Sequence, residues 1–435
     1  MSEDNGPQNN GTKDNGITRR TFVGSSSAAL AALSGLPKAY AQEQTTTKPP
    51  LESQEKAPRS ADHHLPNETI PGPRNAALED QNPDINWPPE TDNGTVPPFK
   101  YPFAFARKRH ETGGWTRQVT VRELPVSKSI AGVEMRLMTG GVRELHWHVS
   151  SEWAIMLYGK ARITAVDQHG RSHVSDVSKN DLWLFPPGIP HSIQGLGPDG
   201  AQFLLVFDDG NFDEFQTFLL TDWMAHTPKE VLAKNFGVPE STFNKLPRKE
   251  LFIFPTGLPG DLATEQQEAA AGTGTVEKRY DFSLDKMPPS KVTAGGEVKI
   301  VDSRNFPVTG ISSAIVRLKP GGLRELHWHP NADEWQYFIS GKARMTLFAA
   351  GTRARTMNFQ EGDVGYVLQS QPHYIENIGD TDLVFLEMFK SPHYEEISLN
   401  QWLAHTPHQL VNQHLNLGKA VIDAIPKDPI VVTPK

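Results

Sequence analysis

The chain has 435 residues, which at roughly 150 residues per domain excludes one small domain and allows two sizeable cores. Its 43 basic residues against 51 acidic ones leave a formal net charge of −8, which speaks against a nucleic acid or an anionic membrane as partner but not against a small anion held in a local basic pocket. The absence of cysteine excludes disulfides, thiolate metal sites and cysteine nucleophiles, while 35 glycines and 35 prolines point to short strands and turns rather than to a coiled coil.

From the N-terminus, Thr18-Arg19-Arg20-Thr21-Phe22-Val23 precedes a modest apolar run from Ala28 to Leu36, and Ala39-Tyr40-Ala41 offers small residues for cleavage. In that order these features resemble a twin-arginine export signal over residues 1–41. The apolar run is far short of the ~20 residues a membrane span needs. Export by this route predicts a periplasmic or secreted protein that folds around any cofactor before it crosses. Residues 42–100, rich in Pro, Asn and Gln without sustained periodicity, read as a tail that wraps the domain.

An internal repeat is the main organisational signal. Gly140-Gly141-Val142-Arg143-Glu144-Leu145-His146-Trp147-His148 returns as Gly321-Gly322-Leu323-Arg324-Glu325-Leu326-His327-Trp328-His329. Glu152-Trp153 returns as Glu334-Trp335, and Pro190-His191 as Pro372-His373. Short β-rich runs punctuated by Gly, Asp and Pro predict two all-β-dominated lobes, at about 101–240 and 282–425, with a linker over 241–281 and a tail over 426–435. Each lobe reads as an antiparallel barrel with short helical appendages. The closing helices are marked by Thr227-Pro228-Lys229-Glu230 and Thr406-Pro407-His408-Gln409, with threonine as the cap and proline as the first helical residue.

Side chains alternate along a strand, so His146 and His148 face one way and Trp147 the other. Glu152 and His191 complete a set of three nitrogens and one carboxylate, and His327, His329, Glu334 and His373 repeat it. Such a thiolate-free set suits Mn(II) or Fe(II), with zinc and nickel left open. Arg143 and Arg324 stand three residues before the first histidine of each pair, so a twist or bulge is needed to aim them inward. A guanidinium beside a metal binds a small carboxylate by charge-assisted hydrogen bonds. The loop from Asp208 to Thr217 is polar and contains Gly210, as a lid carrying an acid would. In the second lobe Glu376, three residues past His373, is a further candidate proton donor. Trp147 and Trp328, facing outward, predict contacts between lobes or subunits.

The spacing of Gly, His-x-His, Glu and Gly from Gly140 to Gly159 and from Gly321 to Gly341 resembles the first cupin motif. Pro186, Gly188 and His191 resemble the second, as do Gly362, His373 and Asn377 in the other lobe. The Arg-Glu-Leu-His-Trp-His repeats and the stretch Leu204 to Trp223 are similar to the bicupin oxalate decarboxylases, over about residues 95–425. The resemblance implies two jelly-roll barrels, two Mn(II) ions per chain with dioxygen as a further cofactor, and oxalate converted to formate and carbon dioxide. It implies trimers paired into hexamers, and the net charge adds the expectation of no nucleic-acid or membrane partner. It also implies that Arg143 orients oxalate, with Arg324 as its counterpart, that Glu214 is the lid acid, and that Trp147 and Trp328 stack between subunits to carry an electron hole. Asp213, Phe215 and Gln216 differ from the Ser-Glu-Asn-Ser lid of the best-known bacterial members. The alternatives are therefore an oxalate oxidase releasing carbon dioxide and hydrogen peroxide, or a non-catalytic metal- or ligand-binding bicupin.

Overall fold

The computed structural model describes residues 75–213 and 216–434; the twin-arginine-like segment, residues 42–74 of the expected tail, and Glu214 lie outside them. Strands dominate. In lobe 1, Ala131–Leu137 lies between Gly114–Val119 and Ala201–Phe207, and the latter pairs with the 15-residue strand Glu152–Val166. That long strand changes sheets along its length. Its residues 152–155 pair with Asp181–Phe185, while 160–166 pair with Ser172–Ser178 and 161–165 with His191–Gly195. Gly159 sits at the corner with φ 77°, where a Cβ would stand 2.0 Å from the Gly200 carbonyl oxygen, so only glycine makes this bend. Lobe 2 repeats the plan, with Ser312–Leu318 between Gly296–Val301 and Leu383–Phe389.

Inward-facing residues of each barrel form a core, with Ile163, Phe203 and Phe207 in lobe 1 and Phe338, Phe359 and Phe385 in lobe 2. A third cluster, built on the fully buried Trp153 and Trp335, joins the outer faces of the two. The lobes also exchange strands. Lys100–Pro102 pairs with Asp363–Val367 of lobe 2, and Asp281–Ser283 pairs with Asp181–Phe185 of lobe 1. The segment before residue 101 therefore belongs to the second barrel: Phe99 enters its core, Asp84 accepts from Arg344 and Asn358, and Lys100 meets Asp363 at 2.8 Å.

The closing helices correct the expected capping. Lys229–Phe236 and His408–Leu415 start after Pro228 and Pro407, whose ψ of 136° and 122° makes them caps rather than first helical residues. Thr227 and Thr406 donate their hydroxyls back to the carbonyls of Trp223 and Trp402, each at 2.8 Å. A threonine hydroxyl four residues past a helical carbonyl finds that acceptor before it finds the next helix. Among the described residues no helix is long and apolar enough to cross a membrane.

Candidate active site and metal centres

Backbone register brings the lobe 1 histidines together. Gly141–His148 runs antiparallel to His191–Gly195 with His146 opposite His191, strand alternation places His148 on the same face, and Glu152 opens the next strand. All four side chains are buried, and one ligand atom from each lies within 4.8 Å of the others. In lobe 2, His327 lies opposite His373 and forms the same group with His329 and Glu334.

Each imidazole is aimed by the main chain. The Nδ1–H groups of His146, His148 and His191 donate to the carbonyls of Glu144, Ser150 and Ile189 at 2.6, 2.6 and 2.7 Å. Those of His327, His329 and His373 donate to Glu325, Glu395 and Gln371 at 2.6, 2.7 and 3.0 Å. A carbonyl only accepts, so the proton sits on Nδ1 and Nε2 turns its lone pair to the centre. The Nε2 atoms of His191, His327, His329 and His373 and the Oε2 of Glu334 are buried without a hydrogen-bond partner, although His373 Nε2 stands 2.9 Å from that oxygen. Lone pairs gathered in a dry cage are stable only around a cation. Three imidazoles and one carboxylate, without thiolate, fit a first-row ion that keeps open positions.

The electrostatics favour the ligating forms at His146, His327 and Glu152. Burial, reinforced by Arg143, pushes His146 well below the usual imidazole range, and burial with Arg324 does the same to His327. Burial alone would raise Glu152, but its contacts with His148 and His191 outweigh that and hold the carboxyl at about 2. A neutral imidazole and a charged carboxylate are what a metal needs.

The lobes differ at their arginines. In both, the pairing register shifts between the arginine and the first histidine, and this bulge re-aims the arginine side chain. Arg143 lines a cavity of about 30 Å³ together with His146, His148 and Glu152. Its Nη1 donates to the Phe252 carbonyl at 3.2 Å, and its guanidinium lies 4.1 Å from the Phe252 ring centroid. Arg324 is wholly buried and committed elsewhere: Nε donates to Glu387 at 3.0 Å, and Nη2 donates to the Tyr394 hydroxyl at 2.6 Å and to Glu396. The expected substrate role of Arg324 gives way to a structural one. Glu387 stands two residues before Phe389 on its strand, where lobe 1 has Leu205 before Phe207, and it captures the guanidinium.

Glu376 is not brought to the metal group. Three residues from His373 is an odd step along the strand His373–Asn377, so Glu376 points to the outer face, 3.5 Å from Arg344 Nη1. Glu214 lies outside the described residues, but Phe212 and Thr217 on either side of it line the cavity, and Phe212 stacks on Phe207 at 3.6 Å. Trp147 stacks on Phe218 at 5.6 Å and meets Trp223 edge-on, and Trp328 meets Trp402. Glu144 is buried, and its carboxylate accepts from the amides of Thr221, Leu251 and Phe252. Two features were absent from the sequence reading. The Glu387–Glu396–Tyr394 group had a signal, a carboxylate inside the apolar run Leu383–Phe389. Phe252 had none, because its place depends on a φ of 54°.

A cupin family model matches residues 104–244 and 282–423. The oxalate decarboxylase OxdC of Bacillus subtilis is 54% identical over 366 residues, 83% of this chain and 94% of the relative. The chain is a bicupin of the oxalate decarboxylase family. A probable oxalate decarboxylase of Arthroderma benhamiae is 43% identical to this bicupin over 362 residues, covering 82% of the chain and 88% of the relative. The structure of the Bacillus subtilis enzyme at pH 4.6 superposes with a TM-score of 0.81 at 54% identity, covering 84% of the bicupin and 95% of that chain. A second structure of that enzyme, at the same TM-score of 0.81 and 53% identity, covers 84% of the bicupin and 96% of its own chain and belongs to work assigning the EPR fine-structure parameters of that enzyme's Mn(II) centres.

Proposed function

We propose that this bicupin decarboxylates oxalate to formate and carbon dioxide, with lobe 1 as the catalytic site. The observation that carries the reading is Arg143 in the wall of the same small cavity as His146, His148 and Glu152. A cavity needs roughly 10–15 Å³ for each water-sized occupant, so about 30 Å³ leaves room for two or three such groups and favours a small acid over a sugar or an aromatic acid. The oxalate decarboxylases among its relatives support the same substrate.

His146, His148, Glu152 and His191 hold Mn(II) in lobe 1, and His327, His329, Glu334 and His373 hold a second ion in lobe 2. Bound manganese with dioxygen supplies the reversible one-electron chemistry that loosens the carbon–carbon bond. Arg143 holds one carboxylate of oxalate through charge-assisted hydrogen bonds and fixes its orientation. Leu205, Phe207 and Phe212 keep the cavity apolar beyond that point and exclude water. As the bond breaks, carbon dioxide departs and the remaining carbon keeps the electron pair and takes up one proton, giving formate. We assign that proton to Glu214, on the strength of its neighbours Phe212 and Thr217 in the cavity wall. Lobe 2 offers no comparable clamp, since Arg324 is wholly buried and bound to Glu387, Glu396 and Tyr394.

Carbon-13 oxalate in aerated, mildly acidic buffer, followed by NMR with peroxide assayed in the same tube, tests this. Formate in near-stoichiometric yield without peroxide is expected. Peroxide and carbon dioxide without formate would make the protein an oxalate oxidase, the second reading, which the altered residues Asp213, Phe215 and Gln216 favour. No turnover by manganese-loaded protein overturns both.

Two assignments belong to the same reading. The Thr18–Ala41 signal directs the folded protein through a twin-arginine route to the periplasm or medium, and the N-terminal residue of protein recovered there tests this. The aromatic groups around Trp147 and Trp328 are the faces proposed for trimers and hexamers, with the indoles relaying an electron hole between subunits. Light scattering tests the assembly. Unchanged turnover of Trp147→Phe at normal metal content would refute the relay.

A further inference from the structure

Beside the lobe 1 cavity, along the edge strand Arg109–Glu111 and its neighbour Gly114–Val119, lies a cleft of about 670 Å³. Its walls hold four permanent cations, Arg107, Lys108, Arg109 and Arg117, together with His110, against two carboxylates, Glu123 and Glu250. Arg109 is matched by Glu111 and Glu250 and Arg117 by Glu134, which leaves Arg107 and Lys108 as the cations of this wall that no carboxylate pairs among the described residues, on a chain of net charge −8. Cleft and metal cavity share two wall residues, Thr116 and Gln118.

The cations are held in place by aromatic rings and by one another's counter-ions. Lys108 Nζ lies 3.9 Å over the Trp115 ring, and Arg117 donates to Glu134 at 2.6 Å while leaning over Trp115. Arg109 is tied to Glu111 and Glu250 at 2.8 and 2.7 Å, and its guanidinium lies 3.5 Å over the Phe252 ring. The Arg143 guanidinium lies 4.1 Å from the same ring. Arg109 lines the cleft while Arg143 and Phe252 line the metal cavity, so the Phe252 ring, which both guanidinium groups approach, marks the partition between the two. Phe252 takes a φ of 54°, which a bulky side chain avoids, and the Glu144 carboxylate bonded to its amide holds it there. Arg107 and Lys108 are exposed at the rim, and among the described residues neither makes an ion pair with a carboxylate.

We propose that this cleft is an anion vestibule that gathers small carboxylates and hands them, at the Arg109–Phe252–Arg143 stack, to the metal cavity. The identity of the anion as oxalate rests on the decarboxylase reading; the sign of charge the cleft takes does not. Cations set in low-dielectric walls focus their field on the mouth and raise the local concentration of an anion of opposite charge. Arg107 and Lys108 supply this field, whereas Arg109, neutralised by its two carboxylates, is the last guanidinium before the partition.

The test compares three proteins of equal manganese content: the parent, Arg107→Gln/Lys108→Gln, and Lys160→Gln/Lys179→Gln, which loses the same charge from exposed positions of lobe 1 away from the cleft. At about 0.01 M ionic strength, where the screening length is about 30 Å, the cleft variant is expected to lower kcat/KM for oxalate about threefold to tenfold, through KM. At about 0.15 M salt, with screening near 8 Å, the difference should shrink to less than twofold, and the control should follow the parent throughout. The second readout needs no turnover: line broadening of carbon-13 oxalate by each protein in dioxygen-free buffer, expected to be weaker with the cleft variant than with parent or control. Reduced broadening with no turnover by the parent would keep the vestibule and overturn the decarboxylase reading. Equal broadening by all three proteins, or an equal loss in cleft variant and control, would overturn the vestibule and leave the reaction untouched.

Discussion

Replacing Arg324 by methionine should destabilise the protein through lobe 2, and the structure sets the size of the effect. The guanidinium is fully buried and is shared by Glu387 and Glu396, whose side chains are 0% and 11% exposed. Methionine fills much of the volume but leaves both carboxylates facing each other without a cation. Breaking a buried ion pair by removing one partner costs about 3–5 kcal/mol. A shift of roughly 2–4 °C per kcal/mol for a unit of this size converts about 4 kcal/mol into a fall of roughly 8–16 °C in Tm. Calorimetry is the assay, at matched manganese content because a bound ion raises Tm on its own. The triple change Arg324→Met/Glu387→Leu/Glu396→Gln removes the charges together and should recover most of the loss, since an apolar replacement of a buried ion group is close to neutral. If Arg324→Met unfolds within about 2 °C of the parent, or if the triple variant is no more stable than the single one, the buried network is not what holds this side of lobe 2.

In lobe 1 the same arginine has the opposite consequence: Arg143→Gln should lower kcat/KM for oxalate by about 10²–10³, from the loss of charge-assisted bonds of about 1.5–3 kcal/mol each, with manganese content and Tm nearly unchanged. Glu152→Gln should lower the bound manganese from two ions per chain towards one, because only the lobe 1 group loses its carboxylate, as metal analysis of dialysed protein would show. Burial raises the Asp281 carboxyl, but its contacts with His173 and Arg279 outweigh that and hold it below its ordinary value. Its contribution to stability is therefore complete above about pH 4, the unfolded value, and is lost as pH falls toward the lower folded one. Asp281→Asn should flatten the acid limb of the stability curve, and an unchanged limb in pH-dependent thermal scans would place the acid sensitivity elsewhere.

Both metal groups were legible because everything that builds them is local. Strand alternation sets His146 against His148, a short turn delivers Glu152, and the repeat supplies each residue twice. Alternation also separates Glu376 from the metal group: its short sequence distance from His373 suggests proximity, yet an odd step along a strand reverses the face. What could not be read depended on partners far along the chain. Arg324 meets Glu387 63 residues away, Arg143 meets the Phe252 carbonyl 109 residues away, and Asp84 reaches Asn358 across 274 residues. The exchange of strands between lobes belongs to the same class, since no local pattern tells Lys100–Pro102 that its neighbour is Asp363–Val367.

The divergence of the two lobes follows from one strand position. Each carries Arg-Glu-Leu-His-Trp-His, each bulges between the arginine and the first histidine, and each anchors the motif glutamate on backbone amides, Glu144 on Leu251 and Phe252, Glu325 on Val431. Two residues before Phe207, lobe 1 places Leu205 in the cavity wall; two residues before Phe389, lobe 2 places Glu387. A buried carboxylate there requires a cation, and the nearest is the motif arginine, so the group that lines the cavity in one lobe becomes a counter-ion in the other. Duplicated ligands keep both metal groups, while a single apolar-to-acidic difference decides which of them keeps a guanidinium in its cavity wall and which ties it to carboxylates.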